Sequence, residues 1–349
     1  MTVSRRTFLG SAGAAGAISA LASPLVAAPQ SRQASLVKPR RLQPGQTVGL
    51  VDPASATWYP VDIEIVSESM QALGLKVKVG AHVLDRRGYF AGTDEARAAD
   101  LNAMFRDPEV DAILAVRGGW GSARVLPLLD FEAIRKSPKI LMGYSDITAL
   151  LLAIYARTNL VTFHGPVGAS PWNAFNVAGF KRVLFDAEPA LLENLKEKED
   201  TLTIVENRVM TITPGVARGR LLGGNLTIVT SLLGSSYLPD WRDAVLFLED
   251  VEEAPYRVDR MLTQLKLAGV LDVVRAVVFG RCTRCSPGEG FGSLTLPDIL
   301  NDHLKPLKVP AWHGAMIGHI ERQFTLPVGL PVEVDATLGT IRLLEPPVA

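Results

Sequence analysis

Between residues 48 and 163, short apolar runs alternate with amphipathic segments, and this alternation restricts the fold more than any other feature of the chain. Residues 48–51, 75–79, 110–116 and 140–144 read as strands, and residues 63–73, 94–105, 122–129 and 147–157 as helices between them. Strands that are apolar along their whole length need cover on both faces, so the pattern implies a parallel sheet between two helix layers. At 349 residues and 48% apolar content the chain can bury a core of that size and a second domain besides.

Ligands of such sheets sit beyond the carboxyl ends of the strands. Three loops leave those ends: Asp52-Pro53-Ala54-Ser55, Arg117-Gly118-Gly119-Trp120-Gly121 and Tyr144-Ser145-Asp146. Ser145 stands where strand gives way to helix, a place that suits a nucleophile and equally suits an N-cap. Gly118 and Gly119 allow backbone N–H groups to approach a ligand oxygen, as an oxyanion site requires; a tight turn is the plainer reading. A dinucleotide fingerprint is absent, because Arg124 occupies the place of the third glycine in G-x-G-x-x-G.

The start of the chain carries Ser4-Arg5-Arg6-Thr7-Phe8-Leu9 and a run rich in Ala, Gly and Ser that ends at Val26-Ala27-Ala28. Residues 1–28 are therefore expected to be a twin-arginine export signal, with a periplasmic destination and no stable membrane span after cleavage. Charge is balanced at 36 basic and 36 acidic residues without a basic block, so neither nucleic acid nor an anionic membrane is an expected partner. Cys282 and Cys285 form one C-x-x-C; too few further ligands follow for a structural zinc, and a small disulfide or two packed thiols both fit. No metal and no cofactor are expected.

The charge run at residues 193–200 marks a change of composition, and 186–215 reads as a connection between an N-terminal domain at 45–185 and a C-terminal domain at 216–349. Strand-like runs at 219–222, 244–248, 276–279, 328–334 and 340–344, with one clear helix at 258–267, make the second domain richer in sheet. Glu249 and Asp250 end one of these runs. A serine nucleophile needs a base, and His164, His313 and His319 all lie near glycines and strand-like runs; position in the chain does not choose among them.

Seven segments, in order, resemble the LD-carboxypeptidase family of serine peptidases, which includes muropeptide-trimming carboxypeptidases and microcin C self-immunity peptidases. They are Phe90-Ala91-Gly92-Thr93, Arg117-Gly118-Gly119-Trp120-Gly121, Gly143-Tyr144-Ser145-Asp146, Gly223-Gly224-Asn225-Leu226, Leu248-Glu249-Asp250, the run from Pro255 to Leu262, and Gly318-His319 with Thr325-Leu326-Pro327. The resemblance implies a flavodoxin-like, class I amidotransferase-like parallel-sheet domain joined to a β-rich swivelling α/β domain. It implies Ser145 as nucleophile, Glu249 as the acid and His319 as the base, with His164 and His313 structural. Gly118 and Asp146 would supply oxyanion N–H groups, while Gly119 and Arg117 complete the binding loop. The expected substrate is a small peptide or muropeptide cut between an L-centre diamino acid and a terminal D-alanine, and a homodimer is expected. Two alternatives stay open at this level: a related peptidase clearing a peptide-nucleotide antibiotic or other aminoacyl amide, and an exported binding protein without catalysis.

Overall fold

The computed structural model describes residues 35–198, 200–288 and 292–349; the expected export signal lies outside them. Strands β1 (Thr47–Val51), β2 (Lys76–Val79), β3 (Ala112–Ala115), β4 (Ile140–Gly143) and β5 (Thr162–His164) form one parallel sheet in the order β2-β1-β3-β4-β5. β3 and β4 are buried along their whole length because helices cover both faces. β2, with the sequence KVKV, lies at the edge and keeps its lysines at the surface, which discourages pairing with another chain. The chain changes winding direction between β1 and β3, and a crevice opens at that point above the carboxyl ends.

Helices Pro60–Ala72, Asp94–Arg106 and Thr148–Thr158 connect these strands. The last is apolar on every side and nearly all buried, since it packs on its own sheet and also against the second half of the chain. The single helix expected at 122–129 is instead a turn of α-helix, Ser122–Val125, followed by a 3-10 turn, Leu126–Leu128. Pro127 has no N–H to continue the α-helical ladder, which accounts for the change.

The second half contributes β6 (Leu191–Glu193), β7 (Met210–Thr213), β8 (Val216–Asn225), β9 (Ala244–Val251), β10 (Ala276–Thr283), β11 (Ala311–His313), β12 (Leu326–Val328), β13 (Pro331–Asp335) and β14 (Thr340–Leu343). Eight of these form a sheet in the order β6-β14-β13-β8-β9-β10-β11-β7, parallel from β8 to β11 and antiparallel at both flanks. The segment expected to be a plain connection, 186–215, therefore supplies two edge strands. Three- and four-residue edge strands are too short to show a period, which is why composition hid them.

The run at 328–334, expected to be one strand, is two strands in different sheets. It turns at Gly329, whose φ of +94° suits glycine, so that β12 pairs antiparallel with β5 and closes the edge of the N-terminal sheet while β13 joins the other. The two halves are thus interlocked through β12. They meet again where the Asn225 N–H donates to Thr148 Oγ1 at 3.0 Å and Arg220 Nη1 donates to the Tyr155 hydroxyl at 3.3 Å.

Candidate active site

The three loops expected to line one crevice lie against one another and are tied together. Ser55 N–H donates to the Gly118 carbonyl at 3.3 Å, and the Trp120 N–H donates to Ser55 Oγ at 3.0 Å. The buried guanidinium of Arg97 reaches between the same loops, donating to the Pro53 carbonyl at 2.5 Å and the Gly121 carbonyl at 2.9 Å. Nothing in the sequence singles Arg97 out, because the carbonyls it serves are distant in the chain.

Ser145 stands one residue, Tyr144, past the end of β4 and opens a 3-10 turn, Ser145–Ile147, ahead of the helix at Thr148–Thr158. Its φ of +62° is left-handed, an uncommon and strained conformation for a residue with a side chain. The N-cap reading is not what the structure contains: no side chain caps either turn, and Ser145 Oγ lies 2.9 Å from His319 Nε2. A left-handed serine at a strand-to-helix bend lifts its hydroxyl off the helix axis and into the cleft.

His319 comes from the irregular segment between β11 and β12. Its Nδ1 lies 2.8 Å from Glu249 Oε2, and Glu249, on β9, is completely buried. Neighbouring side chains on a strand point to opposite faces, so Glu249 and Asp250 part company. Asp250 turns instead to Asn225 Nδ2, the Thr227 N–H and the Thr227 hydroxyl at 2.9–3.0 Å, and burial pushes its carboxyl up to about 6. Gly318 lets the histidine approach: its φ is +110°, and a Cβ there would stand 2.5 Å from Glu249 Oε2.

Gly118 presses against the serine, and a Cβ there would lie 2.9 Å from Ser145 Cβ; one at Gly119 would collide with Ser55. Asp146 anchors the turn from below. Its carboxylate accepts from the Ser122 N–H at 2.7 Å, its carbonyl accepts from the Ser122 hydroxyl, and burial raises its carboxyl. Arg117 Nη1 donates to the Ala56 carbonyl at 3.1 Å, and the side chain lines a cavity of about 380 Å³ with Thr57, Ser170 and Trp172. Behind that loop Asp52 is buried, accepts from the Thr57 hydroxyl at 2.5 Å, and is pushed up to about 7, chiefly by burial.

The other histidines lie elsewhere. His164 is fully buried with its ring edge-on to Phe247, and burial lowers its pKa to about 4. His82 pairs with Asp85 and His303 with Asp259, while His313, on β11, is shifted down by burial. Cys282 and Cys285 form a disulfide. Tyr144, to which its motif assigns no role of its own, sets its ring edge-on to His319 at 4.9 Å between centroids.

A serine hydroxyl, an imidazole and a buried carboxylate in hydrogen-bonded series, at the junction of a parallel-sheet domain and a β-rich domain, define a serine hydrolase of two-domain α/β architecture. The chain belongs to the LD-carboxypeptidase family: residues 48–165 match the model of the LD-carboxypeptidase N-terminal domain and residues 218–334 that of the C-terminal domain. It is accordingly a serine-type carboxypeptidase, a hydrolase of peptide bonds. It is 39% identical over 308 residues to a probable murein peptide carboxypeptidase of Bacillus subtilis, covering 87% of this chain and 93% of that one. A murein tetrapeptide carboxypeptidase of Pseudomonas aeruginosa is 31% identical over 290 residues, covering 81% and 91%. Among solved structures, MccF, named in Escherichia coli as a microcin C7 self-immunity protein, superposes in its complex with glutamyl sulfamoyl guanosine. That match has a TM-score of 0.80 and 28% identity over 89% of this chain and 99% of that one.

Proposed function

We propose that the protein removes the terminal D-amino acid, D-alanine, from peptidoglycan tetrapeptides by cutting its amide to an L-centre diamino acid, through an acyl-enzyme on Ser145. The single observation that carries this reading is the Glu249–His319–Ser145 relay at 2.8 and 2.9 Å. The names of the Bacillus and Pseudomonas relatives support the substrate class.

In the first half-reaction His319 Nε2 takes the Ser145 proton as Oγ attacks the amide carbonyl, and Glu249 holds the imidazole in the tautomer that can accept it. Backbone N–H groups of Gly118 and Asp146 receive the oxyanion. Imidazolium then protonates the leaving amino group, the C–N bond breaks, and D-alanine departs. Water, activated by the same histidine, adds to the ester, and Ser145 leaves with the returned proton. Arg117 and the Gly119 turn meet the free carboxylate of the substrate, a charge that a carboxypeptidase must bind. Export by the twin-arginine signal would bring the enzyme to the polymer itself.

The test offers the protein defined tetrapeptides ending in L,D or D,D linkages and follows the products by mass. Release of D-alanine from the L,D bond alone, lost in Ser145→Ala, is the expected result; equal cleavage of both, or full activity in Ser145→Ala, overturns the reading. The likeness to MccF supports a second reading, cleavage of an aminoacyl sulfamoyl nucleotide. Turnover of that compound in preference to tetrapeptides would establish it instead.

A further inference from the structure

His319 lies in a segment without helix or strand, so no ladder of backbone bonds fixes its place. The end of β10 does that work. The Arg281 N–H donates to the Ile317 carbonyl at 3.0 Å, and Thr283 Oγ1 donates to the carbonyl of His319 itself at 2.9 Å. The fit is close, since a Cβ on Gly280 would stand 2.5 Å from the Ile317 carbonyl oxygen.

The same strand end also borders the carboxylate. After a register shift beyond Phe279, Cys282 pairs with Asp250 and Thr283 with Val251, immediately past Glu249, and the Glu252 N–H donates to the Thr283 carbonyl at 2.8 Å. Across this point runs the Cys282–Cys285 disulfide, closing a turn that holds Thr283 and a left-handed Arg284 with φ of +59°. Arg284 and Ser286 are exposed on either side of Cys285, so the turn is at the surface.

We infer that Thr283 is a positioning residue for His319 and that the Cys282–Cys285 disulfide clamps it, so that the enzyme is fully active only when this bond is formed. The inference rests on the reading of His319 as the base for Ser145. A dithiol reductant would transfer two electrons and two protons to the bond, leaving two thiols and becoming a disulfide itself. The turn would then lose its covalent brace, and the His319 carbonyl its fixed donor.

The experiment measures the rate at which a fluorophosphonate labels Ser145 in the full chain, with folding checked by near-ultraviolet circular dichroism. Thr283→Val should slow labelling about five- to tenfold, the rate equivalent of one lost hydrogen bond, and Thr283→Ser should restore it. Dithiothreitol that exposes two titratable thiols should slow the wild type similarly, yet leave an already slow Cys282→Ser/Cys285→Ser chain unchanged. Reduction provides the measurement if Thr283→Val does not fold. Wild-type labelling that neither Thr283→Val nor reduction alters overturns this inference alone, whereas a wild type that never labels overturns the serine reading and this inference with it.

Discussion

Gly118→Ala isolates the close approach between the glycine loop and the serine. The added Cβ would stand 2.9 Å from Ser145 Cβ, 3.2 Å from Ser145 Oγ and 3.3 Å from the Tyr144 carbonyl, and the φ of Gly118 is not in the left-handed region. Strain of the backbone at 118 is therefore not the issue; the collision is. Carbon atoms rest at about 3.5–4.0 Å, so one side must retreat by roughly 0.6–1 Å. If Ser145 retreats, its 2.9 Å contact with His319 Nε2 opens beyond hydrogen-bond range. If the loop retreats, the Gly118 N–H leaves the position proposed for the oxyanion. A misplacement of that size costs about 10²-fold, and loss of one oxyanion donor about 10²- to 10³-fold. Steady-state assay of the proposed reaction, D-alanine release from a tetrapeptide, should show kcat down by at least about 10²-fold. Overpacking should cost only about 1–3 kcal/mol of stability, so the variant stays folded. Gly288→Ala, whose added Cβ meets nothing within 4 Å among the described residues, is the matched control and should behave as wild type. A Gly118→Ala enzyme within about threefold of wild-type kcat would refute this account of the loop.

Three other outcomes are expected. Glu249→Gln, which keeps size but removes the charge facing His319 Nδ1 at 2.8 Å, should lower kcat by about 10³- to 10⁴-fold with tetrapeptide bound normally; a loss confined to KM would contradict it. Asp52 is pushed from 3.8 up to about 7, so the folded chain holds a proton there that the unfolded chain has released between those values. That stabilisation is full below pH 3.8 and is lost as pH rises through about 7, so the melting temperature of Asp52→Asn should gain on wild type across the same interval; a constant difference would disprove the assignment. Arg97→Met strands the Pro53 and Gly121 carbonyls inside the protein and should cost about 2–5 kcal/mol in urea unfolding, together with lower activity as the two loops separate; an unchanged midpoint would show that Arg97 is dispensable.

The parallel strands β1 to β4 were legible because a strand buried on both faces must be apolar throughout, and because helices of 11 to 13 residues carry a period long enough to read. β6, β7 and β12 were not legible, being three- or four-residue strands that pair with segments remote in the chain. In the site, motif resemblance singled out Ser145, Glu249, His319 and the Gly118 loop. Composition and spacing alone left three histidines equal and gave Glu249 no advantage over Asp250.

The layered α/β class, the strand-to-helix position of Ser145 and the membership of its family follow from local pattern and ordered motifs. Packing between the two halves turns Ser145 left-handed to face His319 instead of letting it cap a helix. The tertiary structure also sends Glu249 and Asp250 to opposite faces of β9 and recruits Arg97 and Thr283 to hold the loops. Each of those outcomes depends on a contact between residues far apart in the chain or on which face of a strand is buried, and neither is written in the neighbours of a residue.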